Sequence, residues 1–178
     1  MRTSQASGAL EEAFAREWIR AFTEAWNEHD ADAIASMCTE DVLHKDPALR
    51  APEYGRDGFR DFAADLLRAF PDLRVDIQEE PGFVLSEPRI FVAYRLSGTM
   101  LGPFDHMGLA ATGRAISVDA VDDYSFRGEL ACAIHTHIDL FEMGRQLGSL
   151  PAQDSRTERL MLPIQRLQAV YLRRRSAS

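Results

Sequence analysis

Two cysteines, Cys38 and Cys132, are all the thiol chemistry in this 178-residue chain. Two cannot build a disulfide framework, and no Cys-x-x-Cys pair is present, so a stapled scaffold and a paired-cysteine metal or redox site are excluded. Neither has a histidine at a telling spacing, so a cysteine nucleophile is not expected. Positive charge is also scarce. Twenty Lys and Arg face 28 Asp and Glu, giving a net charge of −8 and a pI near 5.1. Broad nucleic-acid binding needs a basic surface to displace counterions from phosphate, so no nucleic-acid partner is expected. Long apolar runs are missing as well. None reaches the roughly 18 residues of a membrane span, and Met1 to Gly8 has no hydrophobic signal core. The expectation is a reduced, cytoplasmic protein without a membrane partner. Hydrophobic residues make up 46%, enough for the core of one ordinary domain.

The patterning gives helices first and strands last. Leu10, Phe14, Trp18, Phe22 and Trp26 recur every fourth residue, predicting a long amphipathic helix with an aromatic stripe. That stripe is most simply core packing, and its end is placed to roof a pocket. Asp30 is positioned to cap a short helix over 31–38. Residues 41–47 read as a short strand stopped by Pro47, with His44 and Asp46 on one face. Pro52 to Gly58 reads as a loop. Asp57 is placed to cap a helix with Phe59, Phe62, Ala63, Leu66 and Phe70 on its apolar side, ended by Pro71. Alternation then predicts strands over 73–77, 89–99, 115–126 and 131–140, with further pairing at 83–85 and a turn at Arg127-Gly128-Glu129. A helix follows from Phe141 to Leu147, closed by Gly148. This order implies an α+β fold, a curved antiparallel sheet with helices on one face. The domain organisation is a disordered leader over 1–8, one domain over 9–148, and a helical extension over 149–178. In that extension Leu160, Ile164, Leu167 and Tyr171 share a helical face and Arg173 to Arg175 close it.

The last strand carries the most pointed signal, His135-Thr136-His137-Ile138-Asp139. Alternate strand residues share a face at a spacing of roughly 6.6 Å. His135, His137 and Asp139 therefore form one titratable row, and Ile134, Thr136, Ile138 and Leu140 an apolar one. A row of two imidazoles and a carboxylate suggests proton handling or metal binding. The plainer alternative is a polar outer face. Three same-face residues spread over about 13 Å along a strand, too far to converge on one ion, so no metal is expected. On the preceding strand Asp122 interrupts the apolar row Ile116, Val118, Ala120, Tyr124 and Phe126.

The run Ala25-Trp26-Asn27-Glu28-His29-Asp30, with Asp41-Val42 after it, resembles the opening of the nuclear transport factor 2-like superfamily. Thr112-Gly113-Arg114 and the close from Asp139 to Gln146-Leu147-Gly148 resemble its SnoaL-like polyketide cyclases. The resemblance covers roughly residues 10 to 148. It implies a cone-shaped α+β barrel around an apolar pocket, with a hydrophobic small molecule as substrate and no cofactor. It also implies acid/base catalysis by the aspartate carried over to Asp139, with a second group at Asp122. His137, one step along the row from Asp139, is the candidate to orient it or donate a proton. His135, His44, Asp46, His106, Tyr124 and Trp26 are candidate substrate contacts, His106 from a loop placed to cover the pocket. The function expected is a cyclase or isomerase acting on a carbonyl compound, in a homodimer. The alternatives are a non-catalytic ligand-binding or dimerisation module, and an epoxide hydrolase or hydroxylase-like relative.

Overall fold

The computed structural model describes residues 10–84 and 87–151. The leader, the pairing expected at Leu85 and the C-terminal extension from residue 152 onward lie outside the described residues. Among the described residues four helices and seven strands follow in chain order: α1 (Glu12–Asn27), α2 (Ala31–Ser36), β1 (Cys38–Lys45), β2 (Glu53–Tyr54), α3 (Arg56–Ala69), β3 (Arg74–Ile77), β4 (Gly82–Phe83), β5 (Arg89–Thr99), β6 (Ala115–Arg127), β7 (Leu130–Ile138) and α4 (Leu140–Leu147). One sheet runs β2-β1-β7-β6-β5-β3, with β4 also paired to β5. It curls without closing, and the architecture is the α+β arrangement expected. The β1–β7 pair is parallel, and every other pair is antiparallel. A parallel neighbour needs a crossover rather than a hairpin, and everything from β2 to β6 supplies it.

The core lies between the concave face of the sheet and the helices. α1 buries Trp18, Ile19 and Phe22, and α3 buries Phe59, Phe62 and Leu66 against it. β6 alternates strictly, with Ile116, Val118, Ala120, Asp122, Tyr124 and Phe126 all buried. Each large apolar side chain sealed in this way contributes roughly 1.5–3 kcal/mol of transfer free energy.

The polar residues of the recognisable motifs hold chain ends in place. Asn27 mimics a strand neighbour: its amide donates to Val75 O (3.0 Å) and its carbonyl accepts from Val75 N (2.8 Å). Asp30 caps α2 by accepting from Ala33 N at 2.8 Å. Asp139 does the same for α4, accepting from Glu142 N at 2.9 Å. Gln146 clasps the backbone of Ser117, accepting from its N–H (2.7 Å) and donating to its carbonyl (3.1 Å). Gly148 ends α4 with φ at +77°, a conformation costing an L-residue about 1–2 kcal/mol. The atoms nearest to a Cβ there belong to the flexible end of Arg114. Gly148→Ala is therefore expected to lose about 1–2 kcal/mol, read as a lowered urea midpoint at unchanged slope.

Candidate active site

Between α1, α3 and the sheet lies a narrow, mostly apolar cavity of about 70 Å³. Trp18, Phe22, Phe59, Phe62, Val92 and Ile134 form much of its wall. Trp26, Ile77 and Ile138, the more exposed lining residues, mark its mouth. Its polar lining comes from His44 and Asp46 at the end of β1, Tyr94 on β5, Asp122 and Tyr124 on β6, Thr136 on β7, and Thr23 on α1.

Asp122 is buried at the centre of this wall. It accepts from the Tyr124 hydroxyl at 2.6 Å and from the Tyr94 hydroxyl at 3.2 Å. Burial pushes its carboxyl above the usual range, although the Tyr124, Thr136 and Tyr94 hydroxyls favour its charged form. Burial, then the Asp122 charge, keeps both phenols well above their ordinary range, so they remain donors. Asp46 is half-buried and accepts from Ala48 N at 2.6 Å. Burial raises it to about 6, and the charge of Asp122 acts in the same direction. Thr136 is the cross-strand partner of Asp122, and its hydroxyl favours the charged form of both carboxylates.

His44 is 2% exposed and packs edge-on against Phe59 and Phe62, at 4.8 and 4.7 Å between ring centroids. Burial, with a smaller contribution from His106, lowers it to about 4, so it is neutral near pH 7. Its Nδ1 is buried without a partner. An unpaired acceptor is better tolerated than an unpaired N–H, which assigns the proton to Nε2.

The titratable row of β7 is placed differently from expectation. The alternation holds, but His135, His137 and Asp139 are exposed, while Ile134 and Thr136 are buried and Ile138 lies at the cavity rim. The reason is register. Asp122 pairs with Thr136 and Val121 with His137, so the apolar row of β7 shares the concave face with Asp122. The helices cover the face with more apolar surface to bury, which leaves the imidazoles outside. Asp139 and its oxygen are spent on the α4 cap. His106 also stays out of the cavity: its Nδ1 is 2.6 Å from Asp65 Oδ2, and its Nε2 is 3.6 Å from Glu53. Burial raises Asp65, but the His106 and Arg68 contacts outweigh it and hold the carboxyl low. His44, Asp46, Asp122, Tyr124 and Trp26 do come together. Tyr94 and Thr136 join them, each carrying the kind of signal that marks Asp122, a polar group inside an apolar strand row. Burial lifts the Cys38 thiol to about 12, which leaves it an inert core residue. Among the described residues no three His, Cys, Asp or Glu side chains gather as a metal ligand set, and no helix is long and apolar enough to cross a membrane.

The buried groups make stability pH-dependent, with opposing signs. His44 titrates lower in the fold than in the unfolded chain, so it withdraws stability as pH falls from 6.5 towards about 4. Asp46 titrates higher in the fold, so it restores stability as pH falls through about 6 towards 3.8. Asp46→Asn removes the second effect. Allowing for partial exposure, the variant should exceed the parent by about 2 kcal/mol at pH 7.5, and the advantage should vanish by about pH 4, in urea unfolding across that range.

Residues 16–147 match the model of a family described as SnoaL-like polyketide cyclase. Among solved structures, TsrD from Streptomyces laurentii is 26% identical, with a TM-score of 0.67 over 79% of this chain and 99% of that one. AclR from Streptomyces galilaeus, described as a candidate hydroxylase, is 21% identical with a TM-score of 0.67, over 94% of this chain and 99% of its own. A protein from Jannaschia sp. CCS1, described as a candidate SnoaL-like polyketide cyclase, is 20% identical with the same TM-score of 0.67, over 85% and 99%. The last two likenesses show the fold alone. No curated protein matches.

Proposed function

Since the chain belongs to the SnoaL-like polyketide cyclase family, we propose that its cavity takes a hydrophobic carbonyl compound and cyclises or isomerises it by acid/base catalysis with its own side chains. The observation that carries this reading is Asp122, a carboxylate sealed in an apolar cavity and bonded by two phenols. Partial desolvation makes it a stronger base than a carboxylate in water, and the phenols keep it oriented. It removes a proton from the carbon next to a carbonyl. The C–H electron pair moves onto the carbonyl oxygen, giving an enolate. The neutral His44, with its proton on Nε2, is suited to donate a hydrogen bond to that oxygen. In ring closure the enolate carbon bonds to a second carbonyl carbon, and the new alkoxide takes back the proton held by Asp122. In isomerisation the proton returns to a different carbon. Asp46 adds a second carboxylate whose charge is coupled to that of Asp122, and Trp26 and Tyr124 supply flat apolar contact. The acid/base role expected at Asp139 and His137 thus passes to Asp122 and His44.

The test is deuterium uptake. Aryl ketones and aryl β-diketones incubated with the protein in D₂O should exchange their α-protons faster than in buffer, followed by NMR. Asp122→Asn should abolish the acceleration, and Asp139→Asn and His137→Gln should keep it. Probes that quench Trp18 and Trp26 fluorescence yet exchange no faster than in buffer would make the protein a binding module instead.

A further inference from the structure

The outward row of β7 borders a second cavity. This is an open cleft of about 410 Å³ between β7 and the segment after β1. Lys45, Arg50, His135 and His137 all line it. The two imidazole centroids are 4.2 Å apart, and the parallel pairing sets Lys45 opposite His135. Burial, then His137 and Lys45, holds His135 below its usual range, while Asp123 pulls the other way. The cleft therefore concentrates like charge within a chain whose net charge is −8. Its lysine is the only one in the sequence. Among the described residues neither Lys45 nor Arg50 has a carboxylate partner, a state shared by Arg56, Arg74 and Arg114, whereas Arg16, Arg20, Arg68, Arg89 and Arg95 are ion-paired.

The carboxylates nearby are already engaged. Asp46, at the back of the cleft, accepts from Ala48 N. Asp123, the cross-strand neighbour of His135, is taken by Arg89. The opposite wall is apolar, built from Pro47, Leu49, Ala51 and Pro52. Two cations, two imidazoles and an apolar wall match an amphiphilic anion better than a metal, which the lysine and arginine would repel.

We propose that this outer cleft binds a small organic oxyanion, a carboxylate or phosphate monoester on a short apolar body. Arg50 and Lys45 hold the oxygens, the imidazoles add donors, and the body lies on Pro47 and Leu49. Protonation of His135 adds a positive charge to the cleft and protonation of Asp46 removes a negative one, so binding strengthens as pH falls. The cleft shares Asp46 and Thr136 with the inner cavity, and it gives the His-x-His row a role that the inner cavity does not.

The test is NMR titration of the full chain, following the imidazole signals of His135 and His137 at ionic strength fixed with chloride. Hexanoate and butyl phosphate are the probes, and hexan-1-ol is the uncharged control. The expected result is saturable shifts with either anion, with the tighter one naming the ligand class. Hexanoate should bind at least fivefold more tightly at pH 6 than at pH 8, and at least fivefold more weakly to Arg50→Gln and Lys45→Gln. Shifts that stay linear and equal in the variants would overturn the proposal. So would equal binding of hexan-1-ol, or silence of both imidazoles with sedimentation showing this face covered by a second copy.

Discussion

Asp122→Asn is expected to lower turnover by about 10²–10⁴-fold, the usual worth of a positioned acid/base, while the protein stays folded. The amide keeps the shape and still accepts from Tyr94 or Tyr124, so a hydrophobic ligand should bind nearly as before. Removing a buried carboxylate also removes a desolvation cost, so the variant should melt no lower than its parent. The loss belongs in kcat rather than in KM. Loss of ligand binding together with activity would instead mark Asp122 as a structural residue. Asp139→Asn is the matched control, because asparagine caps a helix about as well as aspartate. It should change neither rate nor stability appreciably.

Trp18→Ala is expected to cost about 3–5 kcal/mol of folding free energy, the range for truncating a buried aromatic. Trp18 is 5% exposed and joins α1 to β6. It stacks on Phe22 at 4.6 Å and meets the edges of Tyr124 at 5.1 Å and Phe126 at 5.0 Å. Its indole N–H is buried without a partner, and its removal relieves that cost and sets the loss towards the lower end. Urea unfolding at unchanged slope would measure it. Trp18→Phe should recover much of the loss. Because Trp18 also walls the cavity, the alanine variant should accept bulkier ligands.

Most of the architecture was legible because punctuation and periodicity agreed. β5 runs over Arg89–Thr99 as read, bounded by Pro88 and the glycine-containing loop. α4 runs between the Asp139 cap and Gly148. β2, only two residues long, leaves no periodic trace, and the loop read over Pro52 to Gly58 contains it. Asp122 was legible as one polar residue in a buried row, and His44 and Asp46 as a pair on one face. What alternation cannot supply is which face the helices cover. That depends on the Asp122–Thr136 register, a pairing between strands. Asp139 carried a competing signal, an acidic residue three before Glu142 at the start of a helix, which is the pattern of a cap.

The parallel seating of β1 on β7 has a consequence during synthesis. β1 emerges early, but its long partner is the last strand of the sheet, and β2 offers it only a two-residue pairing. Until Ile138 has left the ribosome, His44 and Asp46 line a half-built wall beside an unpaired strand edge. A chain halted before Leu130 is therefore expected to be a client for chaperones rather than a smaller working domain, with its sheet edge open to other chains. The cavity comes into existence only when the final strand slots in, between the first strand and the hairpin partner it has just left.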